Sequence, residues 1–557
     1  MSHPMFEKHS ALLYKAVVAV EMREFWSPFS ESPASYGDNA IEKGRIAFEA
    51  YRDASFYLDQ PGVVGRGGEE ISPYGLPLNV TYPLCDSDAL IIAARMAMHA
   101  WTKAGADTRA GVCLEILSRL NENSMEMAQA VIHTTGQPFA VAFQSSTVNA
   151  QGRGLEAVAV AYREMRQVPA SLIWEKPQGK NPPLKIEKSF TVTPRGIALV
   201  IASSVAPTLN SYPALFASLV TGNAVIIKAH PEVILPLAIT VAVARQVLKE
   251  AGFDANLVTL QIDDAAAPLG KLLALKPDIR IIDCTGSSGF GEWIEEHATH
   301  AAVFTQKSSV NCVVVDSTDD YKGMLRNLTL SLCLYSGQIC AAPRVLLVSR
   351  EGVQTPDGLV SSEQFGKDMA FAMGKLVEDP ARAVEVLGAL RSRETLDHIN
   401  AARDLGEVLR DSFPLAHPQW PEARVHTPLL LKVPVSDEAS YAREHFGPVL
   451  MVVETGTSAE SLAIAERVMR DKGALTFAVY STNPRLHEFS TEISLRVGVA
   501  LSLNLTGGLL INQEDGFSDV HGSGANPSGS AAHIDSAFVT RRFQIIGTRR
   551  QVAGDAP

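Results

Sequence analysis

Residues 197–349 predict an α/β protein built on a parallel, Rossmann-like sheet with helices on both faces. Short apolar runs at 197–202, 224–228, 257–261, 279–283, 310–315 and 344–349 alternate with helical patterns near 211–221, 235–251, 266–275 and 288–297. Such alternation is the signature of strands buried on both faces and joined by helical crossovers. A chain of 557 residues, 46% of them hydrophobic, is also too long for one core, so two or three domains are expected.

In chain order, residues 1 to about 84 read as a helical opening followed by sequence broken at Pro61-Gly62, Gly65–Gly68 and Pro73–Pro77, which predicts a segment wrapping the surface. Asp86 and Ser87 precede an apolar face at helical spacing that runs to Trp101, and Thr108 to Asn123 repeats the pattern. Two more helices are expected through Met125–Thr134 and Ser145–Met165. His99, His133 and Arg153 fall within these helices and read as ordinary polar positions. Residues 168–193 read as two strands around a Pro/Gly/Asn turn.

Composition excludes several functions. A net charge of −12 and a pI near 5.7 argue against a nucleic-acid partner or an anionic membrane, since both need a basic footprint. Cys85, Cys113, Cys284, Cys312, Cys333 and Cys340 lack the paired spacing of a metal site or a disulfide framework. No metal is expected, and a reducing cytoplasm fits best. The N-terminus has no charged-then-apolar signal pattern, and no run reaches about 18 apolar residues, so neither export nor a membrane span is expected.

The stretch around Cys340 is a candidate for chemistry. A helical run from Tyr321 to about Leu334 stops at Gly337, Cys340 follows, and a strand begins at Arg344. A free cysteine is most often a small buried hydrophobe, but a backbone break is where a thiol can face a cleft. Thr285-Gly286-Ser287-Ser288 lies between a strand and a helix, where backbone N–H groups and the helix dipole suit a pyrophosphate.

Four segments, in chain order, resemble motifs of the aldehyde dehydrogenase superfamily. Gly222-Asn223 through Lys228 resembles its Gly-Asn-x-Val-x-x-Lys-Pro strand, and Thr285–Ser288 its Thr-Gly-Ser-Thr turn. Gly337-Gln338-Ile339-Cys340 resembles its Gly-Gln-x-Cys segment, and Glu444-His445-Phe446-Gly447-Pro448-Val449 its Glu-x-Phe-Gly-Pro-Val. The resemblance runs from about residue 85 to the end. Within the superfamily it is nearest the stand-alone phenylacetate-degradation aldehyde dehydrogenases, the PaaN type, through Thr108–Leu117, His133–Gln137, Asn210–Leu219, Leu332–Gln338 and Phe517–Pro527.

The resemblance implies an aldehyde dehydrogenase fold: an NAD(P)-binding domain over 85–305, a catalytic domain over 306–500, and a return to the cofactor domain with an oligomerisation tail over 501–557. The hairpin at 168–193 would serve oligomerisation, giving a homodimer or homotetramer. Cys340 would attack an aldehyde and form a thioester. Lys228 would reach the adenosine ribose, Gly286 and Ser287 the pyrophosphate, and Glu444 and Phe446 the nicotinamide end. The implied substrate is a ring-opened, CoA-linked semialdehyde.

Three positions depart from the family pattern. Pro231 stands where NAD-preferring relatives carry a glutamate, so NADP is expected over NAD. Val205 replaces an asparagine that stabilises the oxyanion, and one such donor is worth roughly 3 kcal/mol; Asn210, five residues on, is the candidate substitute beside the Cys340 N–H. Gln306 stands where a glutamate would activate cysteine or water, and an amide accepts no proton at neutral pH. A CoA-acylating dehydrogenase and a catalytically impaired protein of the same fold are the alternatives.

Overall fold

Apolar strands without alternation, such as Ile197–Ile201, Val225–Lys228 and Val345–Ser349, are buried along their whole length, which requires helices on both faces of each sheet. The computed structural model describes residues 3–533 and 535–552. It contains two such sheets. The first has five parallel strands in the spatial order Val258–Gln261, Val225–Lys228, Ile197–Ile201, Ile279–Thr285 and Ala302–Gln306. The chain reverses direction across the sheet between Ile197–Ile201 and Ile279–Thr285, and the crevice at the carboxyl ends of those two strands is where such sheets bind ligands.

The second sheet has seven strands in the order Glu407–Arg410, Leu429–Pro434, Val449–Thr455, Val345–Ser349, Cys312–Val315, Thr476–Tyr480 and Ala500–Leu503. All neighbours are parallel except the first pair. The strands expected at 310–315 and 344–349 therefore belong to this second sheet and do not extend the first. Their local pattern is the same in both sheets, and only pairing distinguishes them. Separate hydrophobic clusters cover its two faces, one through Leu347, Leu431 and Phe477 and one through Leu346, Leu430 and Leu450.

Helices Ser87–Lys103, Gly105–Glu122, Ser124–Thr135 and Ala150–Met165 pack beside the five-stranded sheet. The opening segment is less peripheral than its sequence suggests: helix Pro4–Met22 contributes Leu13 and Ala16, both fully buried, to the same core. The polar strands Ser171–Gln178 and Asn181–Pro194 form a mostly exposed antiparallel hairpin, and Phe543–Gln551 adds a third strand to it.

Before reaching that strand, the chain crosses back over the first core. Arg542, wholly buried, bonds both oxygens of Asp283 at 2.6 and 2.8 Å and the Ser218 hydroxyl at 2.7 Å. Its guanidinium also lies over the rings of Phe304 and Phe538. A buried charge needs partners of this kind.

Candidate active site

Cys340 is held at a cavity wall by the backbone on either side of it. Helix Tyr321–Cys333 ends in a tight turn, Leu334–Gly337, in which Tyr335, Ser336 and Gly337 all have positive φ, at 51°, 50° and 63°. Two non-glycine residues in that region cost on the order of 1–3 kcal/mol each and persist only where their surroundings over-determine them. Here the Tyr335 hydroxyl donates to the Thr135 carbonyl at 2.6 Å and the Ser336 hydroxyl to the Leu387 carbonyl at 3.0 Å. A side chain at 337 would meet the Gly447 carbonyl oxygen at 2.6 Å. After the turn, the Cys340 carbonyl accepts from the Ser309 hydroxyl at 2.6 Å and the Asn311 amide at 2.8 Å. The buried Arg344 joins this loop to the later motif, donating to the carbonyls of Ile339 and Gly447 and lying 3.8 Å from Glu444.

Among the six cysteines only Cys340 is partly exposed; the other five are buried. Burial pushes the thiols of Cys284, Cys312 and Cys333 up to about 12. It raises Cys85 and Cys113 as well.

Cys340 faces a cavity of about 1170 Å³ whose walls also include Lys228, Gly286, Ser287, Gln306, Glu444 and Phe446. Residues drawn from both sheets thus share one space at the switch point of the first. The residues fit a dinucleotide. Helix Ser288–His297 opens onto the cavity at Ser287, and the unpaired N–H groups of a first helical turn favour phosphate. Two details differ from the simple expectation. The Gly286 N–H is taken up by the Gln306 carbonyl at 3.0 Å, so a phosphate would be received by the helix start beyond it. Lys228 is paired with the buried Asp263 at 2.8 Å, so its charge is partly neutralised.

The Asn210 amide, expected to face an oxyanion, is engaged with Gln306. Its Nδ2 donates to Gln306 Oε1 at 3.1 Å, because helix Pro207–Val220 begins directly after Ala206 and carries Asn210 to that wall. At Val205 the backbone is also engaged: its N–H meets the Ser203 hydroxyl, and its carbonyl accepts from Gln137 at 2.7 Å.

The structure adds residues that the sequence did not single out. With its Oε1 held by Asn210, Gln306 points Nε2 to 3.3 Å from Cys340 Sγ and 2.7 Å from His521 Nε2. His521 Nε2 lies 3.9 Å from Sγ, and its Nδ1 is hydrogen-bonded to the Glu514 carboxylate. Burial disfavours the imidazolium, but the charge of Glu514 and the contact with Cys340 outweigh it and hold His521 up to about 10. Arg153, expected to be an ordinary polar position, is buried 3.7 Å from Glu514. The signal available beforehand was only a histidine in the Phe517–Pro527 ending, which named no partner.

A doubly covered parallel sheet with a cavity at its switch point is the arrangement in which such folds bind nucleotide ligands, and here a thiol stands on that cavity's wall. A model of the aldehyde dehydrogenase family matches residues 83–527, and the chain belongs to that family. It is 48% identical to an NAD-dependent aldehyde dehydrogenase from Burkholderia multivorans over the whole of both chains, with a TM-score of 0.98. A vanillin dehydrogenase of Pseudomonas fluorescens is 26% identical over 390 residues, 68% of this chain and 73% of that one. A 1-pyrroline-5-carboxylate dehydrogenase of Bacillus cytotoxicus is 22% identical over 524 residues, 89% and 95% of the two chains. The protein thus has the aldehyde dehydrogenase fold and is an enzyme of the NAD(P)-dependent aldehyde dehydrogenase family. Among the described residues no helix is long and apolar enough to cross a membrane.

Proposed function

We propose that the protein oxidises an aldehyde to its acid through a thioester on Cys340. The single observation behind this is that, of six cysteines, only the partly exposed Cys340 lies on the cavity shared with Lys228, Ser287, Glu444 and Phe446. The thiolate adds to the aldehyde carbon, and the Cys340 N–H and the Gln306 amide, whose Nε2 lies 3.3 Å from Sγ, receive the oxyanion. A bound nicotinamide supplies the two-electron acceptor for the aldehyde C–H bond. Glu444 and Phe446, tied to the cysteine loop through Arg344, orient the nicotinamide end. Ser287 and its helix start hold the pyrophosphate, and Lys228 holds the ribose. Water then releases the acid.

The substrate we assign is a ring-opened, CoA-linked semialdehyde of phenylacetate breakdown. Support comes from the PaaN-type segments at Thr108–Leu117, Asn210–Leu219 and Phe517–Pro527. The size of the cavity is compatible with more than a dinucleotide. The working protein is a cytoplasmic homodimer or homotetramer joined through the exposed three-stranded sheet. Turnover of an aldehyde panel, each member with and without free CoA, is the test. Oxidation of the CoA-linked semialdehyde at a kcat/KM above that of simple aldehydes, with no stimulation by free CoA, is expected. Strict dependence on free CoA would establish the acylating alternative instead.

A further inference from the structure

Gln306 has no basic atom with which to activate water, yet the imidazole of His521, which has one, lies 3.9 Å from Cys340 Sγ. We propose that His521, oriented by Glu514, is the proton acceptor of this active site, taking first the Cys340 thiol proton and later a proton of the water that hydrolyses the thioester. The inference rests on Cys340 as the acylated residue.

The geometry is that of a nucleophile, a base and an orienting carboxylate. Nε2 is 3.9 Å from Sγ, and Nδ1 is bonded to Glu514 on the far side of the ring. A carboxylate at Nδ1 keeps a proton there, so Nε2, which faces the sulfur, is the nitrogen that gains and loses the second proton. The two amides can meet either state of that nitrogen: Asn210 donates to Gln306 Oε1 and Gln306 turns its NH₂ to Nε2 at 2.7 Å, the arrangement that suits the unprotonated ring. Turning both amides over presents Oε1 to a protonated Nε2 and keeps both the amide–amide and the amide–imidazole bonds. Gln306 therefore serves either proton state of His521, which a glutamate would not.

The segment that carries the pair is anchored well away from the sulfur. The Asn149 amide donates to the Glu514 carbonyl at 2.8 Å, and the Phe517 N–H donates to Glu156 at 2.9 Å. Of the charged or titratable groups around the ring, Glu514 and Cys340 touch it. His533 lies 5.2 Å away ring to ring, and Arg153 acts through Glu514. His533 is held neutral by burial and by its cationic neighbours.

The protons balance. The thiol proton passes to Nε2 as Sγ becomes a thiolate and adds to the carbonyl. Once sulfur is bonded to the acyl carbon its charge is gone, and the imidazolium, left with Glu514 alone, gives its proton to solvent. Neutral Nε2 then takes a proton from water as the water oxygen bonds to the acyl carbon. The C–S bond breaks, leaving the acid, a thiolate and an imidazolium for the next cycle.

The test needs no dinucleotide. Cys340 is acylated with p-nitrophenyl acetate, and loss of the acyl group is followed by intact mass across pH; iodoacetamide alkylation of the free thiol is timed in parallel. In wild type the deacylation rate should rise with pH to a plateau as Nε2 loses its proton. His521→Asn should deacylate about 10²–10⁴-fold more slowly and should need higher pH for alkylation. Adding Gln306→Glu to that variant should recover part of the rate by restoring a base beside the sulfur. Glu514→Gln, a change to a positioning residue, should move the midpoint of the deacylation profile to lower pH, an effect that loose packing would not produce. Deacylation of His521→Asn within about threefold of wild type, with an unchanged pH profile and an unchanged Tm, would overturn the proposal. If His521→Asn does not fold, the Glu514→Gln profile decides, and an unshifted midpoint overturns it. Acylation that survives in Cys340→Ala would instead refute Cys340 as the nucleophile.

Discussion

At Cys340 the chain spends backbone strain, two non-glycine residues at positive φ just before it, to hold a thiol at a cavity wall. The other five cysteines are buried within helices, strands or strand ends, and their thiols are raised by that burial. Iodoacetamide at neutral pH should therefore label Cys340 well before any other cysteine, as peptide mass mapping would show. Cys340→Ala should abolish aldehyde oxidation while the Kd for the dinucleotide, measured by quenching of intrinsic fluorescence, stays within about threefold of wild type. Cofactor choice is also set by single residues. Pro231 leaves out a carboxylate that would repel a 2′-phosphate, but Asp263 neutralises the lysine that would reward one. These effects oppose each other, so kcat/KM for NADP and NAD should agree within about tenfold, a difference of about 1.4 kcal/mol. Pro231→Glu should shift the ratio toward NAD. A native preference for NAD of a thousandfold would show that neutralisation by Asp263 dominates.

Two elements are pinned by buried polar groups whose loss has a computable direction. His133, on helix Ser124–Thr135, stacks on Phe48 and meets the Ser72 hydroxyl at 3.1 Å. Burial and then Arg52 lower it to about 4. Its folded value lies below the unfolded one near 6.5, so the contribution is complete above pH 6.5 and is lost as pH falls toward 4. The total is on the order of 3 kcal/mol. Urea unfolding of His133→Phe, compared with wild type over that range, should show a flatter acid limb. The second element is the strand Phe543–Gln551, held to the first core through Arg542. Arg542→Ala leaves Asp283 buried without its partner and should destabilise the fold by about 3–5 kcal/mol. Asp283→Asn together with Arg542→Met should recover most of that loss in Tm, because replacing both charges removes the unpaired one.

Across the whole molecule the exposed hairpin Ser171–Gln178 and Asn181–Pro194, extended by Phe543–Gln551, is a sheet with free edges and apolar side chains such as Ile173, Leu184 and Ile546 in solvent. Exposed edges and patches of that kind pair with other chains. Shortening the hairpin by deleting residues 174–185 should lower the mass seen in sedimentation to that of a monomer and leave a folded chain. An unchanged mass would place the oligomer interface elsewhere. Much of this architecture was legible in the residues. The strands of the first sheet, the helix at 288–297, the hairpin and the turns around Gly286, Gly337 and Gly447 are all specified by neighbours close in sequence: β-branched runs, caps and breakers. Lys228, Gly286, Ser287, Cys340, Glu444 and Phe446 could be named because the segments that carry them resemble motifs of the family in the same chain order. The sequence did not determine which strands share a sheet, so the runs at 312–315 and 345–349 could not be assigned to the second sheet by periodicity. Nor did it reveal what Asn210 bonds or what stands beside Gln306. Residues 514 and 521 reach 153, 306 and 340 only because the segment after Leu503 is drawn back over the site by bonds to Ser331, Asn149 and Glu156. Such long-range anchoring leaves no periodicity or spacing in the chain, so only the tertiary structure brings an imidazole to the thiol.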